Sequence, residues 1–86
     1  MIEVDEKGIK TIDIDGNDTI KFSKPIQFLQ LKCYSGEIKV NWRGEIDEEG
    51  GGYSLMTERT SDIIRENKPF SQIYVSGKGK LGVSII

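Results

Sequence analysis

Apolar and polar residues alternate with a period of two along most of this chain, the pattern of a strand with one buried face. Thirteen isoleucines, four valines and four threonines account for much of it, and the chain has no alanine. β-Branched side chains suit a pleated sheet, whereas alanine is the strongest helix former. The alternation and the composition together predict an all-β protein.

The clearest alternation covers residues 26–34, where Leu29, Leu31 and Cys33 share one face. A second run, 37–42, places Ile38 and Val40 on one face. Small polar residues and glycines predict tight turns at 15–18, 35–36 and 76–79. We therefore expect about eight short strands, arranged as a small antiparallel β-sandwich or partly open barrel.

The chain of 86 residues is long enough for one domain. We assign residues 11–86 to a single β-sandwich domain. Residues 1–10 form an N-terminal arm or an edge strand in this prediction, because Gly8 and the charges around it weaken the alternation.

Missing residue types exclude several functions. The chain has no histidine, which removes Ser-His-Asp and Cys-His catalysis. Cys33 is the single cysteine, so no intramolecular disulfide forms, and its alternation with Leu29 and Leu31 predicts a buried apolar residue. The net charge of −2 lacks the basic excess of a nucleic-acid binder. We expect no enzyme activity, no catalytic, metal or cofactor site and no nucleic-acid partner.

Two local motifs are better explained as turns. The segment 13–18 resembles a calcium loop, but Gly16 directly follows the second aspartate and no glutamate occupies the twelfth position. The segment 77–80, Gly-Lys-Gly-Lys, resembles a phosphate loop without its spacing or its helix. No apolar stretch approaches the roughly 18 residues of a membrane span, so we expect no membrane partner.

Four aromatic residues form the candidate site. Phe28 and Tyr34 fall on the face of their strand opposite its aliphatic residues, and Phe70 and Tyr74 do the same on a later strand. If both strands bury their aliphatic faces in one core, these four aromatic side chains point outward. An outward aromatic patch predicts a protein interface.

Three segments in a fixed order carry a family resemblance. They are FLQLKCYSGEIKVNW at 28–42, GGGYSL at 50–55 and PFSQIYVSGKGKLGVSI at 69–85. In this order of strands and glycine turns, the chain resembles small bacteriophage and prophage structural proteins, β-sandwich accessory proteins that decorate heads or sit on tails. It departs from that class at 56–59, where the class usually carries prolines.

The resemblance implies a non-enzymatic virion protein, above all a capsid decoration or auxiliary head protein. A phage capsid or tail protein would be the partner, the chain would form a homo-oligomer, and it would reach the virion after synthesis in the host cytoplasm. Head and tail positions both remain open. One alternative is a phage tail or host-adhesion module that stacks sugars on Trp42, Tyr53 or Tyr74, with Asn41 and Glu45 as hydrogen-bonding groups. Another is a small phage-encoded inhibitor of a host protein.

Overall fold

The computed structural model describes residues 1–4, 8–47 and 49–86. Within these ranges the chain forms four strands and no helix. They are β1 (Ile2–Val4), β2 (Gly8–Asn41), β3 (Ser54–Thr57) and β4 (Thr60–Ile85). The predicted all-β fold is confirmed.

Strands β2 and β4 are long and strongly bent. β2 has 34 residues, which would extend about 110 Å at about 3.3 Å per residue if straight. The whole molecule measures 28 × 25 × 22 Å, so the strand curls around the core. The described residues therefore form four strands where about eight short ones were expected, because the segments predicted as turns lie inside β2 and β4.

The four strands form one mixed sheet in which β2 pairs with every other strand. It runs antiparallel to β3 and β4, as expected, but parallel to β1. The C-terminal half of β4 lies between two parts of β2, so that Gly82 faces both Thr11 and Lys32. Residues 76–79 belong to this central segment, and the hairpin turn predicted there is wrong.

Gly77 and Gly79 allow a close approach of strands at this position. Their φ angles are 139° and 157°. A Cβ atom at Gly77 would collide with the carbonyl oxygen of Glu37, and one at Gly79 with that of Ser35. The glycines that suggested a turn instead make room for the neighbouring backbone.

A bulge at Tyr34 replaces the tight turn predicted at 35–36. Cys33 faces Leu81 and Ser35 faces Lys80, so β2 carries one extra residue between these pairs. The Cys33 thiol donates to the Ser35 carbonyl oxygen at 3.3 Å across the bulge. The extra residue changes which positions point inward. The buried residues are Leu29, Leu31 and Cys33 before it and Ile38 and Val40 after it.

The core draws on every strand. Its largest fully buried side chains include Ile20, Leu29, Leu31, Ile38, Ile73 and Leu81. Cys33 is fully buried among them, as predicted. Within the N-terminal segment 1–10, β1 adds the buried Val4, and residues 8–10 pair with 83–85 at the start of β2. Residues 5–7 of that segment lie outside the described part.

Candidate functional site

The four predicted interface residues occupy different environments. Phe28 and Tyr34 are 46% and 37% exposed. Phe70 is half-buried, and its ring meets Phe22 edge-on with centroids 6.3 Å apart. Tyr74 is also half-buried. The structure thus places two of the four aromatic side chains on open surface, and it does not bring all four together.

Phe28 belongs to an apolar group on the outer face of the sheet. Phe28 faces Arg65, and Gln30 faces Ile63, so Phe28 and Ile63 are diagonal neighbours. On the other side, Leu29 pairs with Ile85, the last residue of β4, and this register continued by one residue puts Ile86 opposite Phe28. We call Phe28, Ile63 and Ile86 the outer apolar row; their exposed fractions are 46%, 47% and 62%.

Tyr34 lies on the same sheet surface and is partly fixed there. Its ring covers Gly82, where the position of an added Cβ atom would be 2.6 Å from Tyr34 Cε2. The Lys32 ammonium lies 5.1 Å from the ring centroid, within cation–π range. Gly82 therefore provides the space in which the Tyr34 ring rests against the sheet.

Tyr74 lines a cleft of about 730 Å³ instead of the outer face. The cleft is lined by Met1, Asn17, Asp18, Thr19, Glu45, Ile46, Asp47, Glu49, Tyr74, Val75 and Ser76. The Tyr74 hydroxyl accepts a hydrogen bond from Gln72 Nε2 at 2.7 Å. Tyr74 and Glu45, two of the residues predicted for sugar binding, thus share one cavity, whereas Trp42 and Tyr53 are not among its lining residues.

Carboxylates dominate the charge of the cleft. The α-amino group of Met1 lies 3.0 Å from Asp18 Oδ1. This hydrogen bond, together with one from the Thr19 amide, holds the pKa of Asp18 below its usual value. The Asp47 carboxylate accepts a hydrogen bond from the Gly50 amide at 2.9 Å, which is a contact between two residues of the same loop.

Trp42 is half-buried and packs against the core, close to the burial predicted from its alternation. Its indole Nε1 donates to Glu66 Oε1 at 2.6 Å, and Arg43 Nη2 donates to the same oxygen at 2.8 Å. These two hydrogen bonds lower the pKa of Glu66. The Arg43 guanidinium lies 5.9 Å from the Trp42 ring centroid, so the indole already has a cation beside its ring. These contacts argue against sugar stacking on Trp42.

Among the described residues, no group of three or more histidine, cysteine, aspartate or glutamate side chains is arranged to hold a metal ion. The described ranges also contain no helix long and apolar enough to cross a membrane.

Comparison with known proteins gives one informative result. No description of a known protein family matches the chain, and no curated protein matches it. Among solved structures, the fold is similar to a cupin superfamily protein from Desulfitobacterium hafniense, with a TM-score of 0.55 and 11% identity. The similarity covers 91% of this chain, which spans 65% of the length of that protein. At this identity it shows a shared β-fold alone.

Proposed function

We propose that this protein is a non-enzymatic bacteriophage structural protein, a capsid decoration or tail accessory protein, that docks the outer face of its sheet on another virion protein. The outer apolar row carries the proposal. The assignment to a phage comes from the sequence resemblance, and the virion as its location follows from that assignment. Of the four aromatic residues expected to form an interface, the proposal keeps Phe28 and Tyr34.

The surroundings of the row suit a protein contact. Large exposed apolar side chains that adjoin one another mark interaction surfaces, whereas scattered ones do not. Gln30, Lys32 and Arg65 are exposed around Phe28 on the same face of the sheet. An apolar centre with a polar rim is the usual composition of a protein interface. Phe28 and Ile63 stand on strands that pair with each other, so little ordering of their backbone accompanies docking.

Mass spectrometry of purified phage particles tests the assignment, and the chain is expected among the particle proteins. Phe28→Ser should weaken capture of the chain on particles at least about tenfold, because a central aromatic anchor dominates such contacts. Leu55→Ser is the matched control, since Leu55 is 54% exposed and lies outside the row. Absence from particles, or equal loss in both variants, would contradict the proposal.

A second candidate function is carbohydrate binding in the cleft, favoured by the shared placement of Tyr74 and Glu45. An aromatic ring beside carboxylate, amide and hydroxyl groups is suited to a sugar ring and its hydroxyls. Calorimetric titration with cell-wall glycans should then give binding that Glu45→Gln weakens. No binding heat across the glycan panel would rule this function out, and it would leave the docking proposal unaffected.

A further inference from the structure

We propose that a second copy of this chain pairs with the edge of the sheet at residues 60–66, so that one sheet continues through a two-fold dimer. Residues 60–65 pair with 28–33 on one side. On their other side, no ladder partner occurs among the described residues. Ser61, Asp62, Ile63 and Arg65 are all exposed along this segment. The inference does not depend on the docking proposal.

The backbone of Ile63 shows how an edge amide finds a hydrogen-bond acceptor in the monomer. The exposed Ile63 amide donates to the carboxylate Oδ1 of Asp62, its own neighbour, at 2.9 Å. A side-chain acceptor of this kind is available to an edge amide that has no strand beside it. Because the Asp62 carboxylate is itself exposed, it can return to water when a second strand supplies a carbonyl oxygen. Unpaired backbone groups at an edge are a template for such pairing.

Symmetry limits the register of the pair. A two-fold axis perpendicular to the sheet keeps both outer faces on the same side, so residues of equal parity must face each other. Each possible axis is therefore defined by one residue, which lies directly opposite its own copy in the partner. An axis at Asp62 would put the Asp62 carboxylate opposite its own copy. An axis at Ile64 would put Asp62 opposite the partner's Glu66, and like charges directly opposite are destabilising.

Two further positions are also unfavourable. An axis at Arg65 would place that guanidinium opposite its copy. An axis at Ser61 would leave only the residues from Thr60 to Asp62 to pair, because β4 begins at Thr60. An axis at Ile63 avoids all of these conflicts.

With the axis at Ile63, the charges and the apolar surface agree. Ser61 then faces the partner's Arg65 and Thr60 faces the partner's Glu66, so no like charges are directly opposite. The two Ile63 side chains meet at the axis. Each has Phe28 and Ile86 behind it, so the two outer apolar rows join into one continuous stripe across the dimer. The pairing adds backbone hydrogen bonds at the edge and leaves the outer face accessible.

Sedimentation equilibrium of the purified chain tests the dimer. The wild-type chain should have twice the monomer mass, and Ile63→Arg should have the monomer mass because the two-fold places the introduced charges opposite each other. Leu55→Arg is the matched control and should remain dimeric, since Leu55 lies beyond the paired segment. Far-UV circular dichroism checks that each variant is folded. A monomeric wild-type chain at high concentration, or two variants that dissociate equally, would overturn the proposal.

A cysteine at the axis tests the register separately. Oxidised Ile63→Cys should form a covalent dimer much faster than Leu55→Cys, because opposed residues on paired strands bring their Cβ atoms to within about 5.5 Å. The native Cys33 is fully buried and contributes no background. Equal crosslinking rates would exclude the Ile63 axis. Both experiments use the chain alone, so their failure would leave particle docking to its own test.

Discussion

The indole Nε1 of Trp42 and Glu66 Oε1 are 2.6 Å apart, a hydrogen bond between residues 24 positions apart in sequence. It holds the chain just beyond the end of β2 against the first third of β4. Arg43 donates to the same oxygen from Nε at 3.1 Å and from Nη2 at 2.8 Å. One carboxylate oxygen thus accepts from the tryptophan and from the arginine that follows it.

This arrangement predicts a loss of stability in acid. Glu66 has a folded-state pKa below its unfolded value, because Trp42 and then Arg43 donate to its ionised form. The stabilisation is therefore present above the unfolded pKa of about 4.3 and is lost as the pH falls through the folded pKa. Trp42 fluorescence and the thermal midpoint should both change below about pH 4. Glu66→Gln should lack the fluorescence step; a wild-type profile in that variant would refute the assignment.

The close approach of strands at Gly79 predicts an unequal response to alanine. Gly79→Ala should lower the free energy of unfolding by more than about 2 kcal/mol, because the Cβ atom meets the Ser35 carbonyl oxygen at a positive φ. Gly44 has no heavy atom within 4 Å of an added Cβ, and Gly44→Ala should change stability by less than about 0.5 kcal/mol. Urea unfolding measures both, and similar costs would show that the contact at Gly79 is unimportant.

Substitutions of core and of surface apolar residues should also differ in how much they lower the free energy of unfolding. Leu81→Ala should cost about 2–5 kcal/mol, since Leu81 is fully buried in the C-terminal half of β4, between two parts of β2. Phe28→Ser should cost clearly less than Leu81→Ala, because nearly half of Phe28 is exposed whereas Leu81 is fully buried. The same urea titrations report both values. A large cost for Phe28→Ser would mean that Phe28 serves the fold more than an interface.

The Cys33 thiol should be unreactive in the native protein. Burial raises its pKa, which reduces the reactive thiolate at neutral pH, and the side chain is fully enclosed. A chromogenic disulfide reagent should label it only after unfolding. The Ile63→Cys variant supplies an internal comparison, because one of its thiols should be labelled rapidly and the other slowly. Rapid labelling of the native wild-type chain would contradict the burial of Cys33.

The period-two alternation predicted the class of the fold and much of its core, including Leu29, Leu31 and Cys33. It could not distinguish a glycine turn from a glycine contact at Gly77 and Gly79. Both need a residue without a side chain, and only the strand on the other side of the contact decides between them. The bulge at Tyr34 was missed for the same reason, since Ser35-Gly36 has the composition of a tight turn.

The candidate site was predicted in part. Alternation correctly turned Phe28 and Tyr34 outward, but Phe70 packs against Phe22, because the curled sheet brings another segment over that position. Ile63 was not predicted, since it stands beside Ile64 and two adjacent isoleucines give no alternation. Its place beside Phe28 follows from a pairing between β4 and β2, which no local pattern contains.

The single extra residue at Tyr34 is the one residue that β2 can lose between Cys33 and Ile38 without turning its core side chains outward. Removing one residue there would leave a regular ladder in which Ile38 and Val40 still point inward, whereas removing two would turn both side chains to solvent and bring Lys39 and Asn41 inward. Relatives of this protein should therefore lack at most this one residue, and they should keep a glycine at Gly36, because a Cβ atom there would collide with the Lys78 carbonyl oxygen.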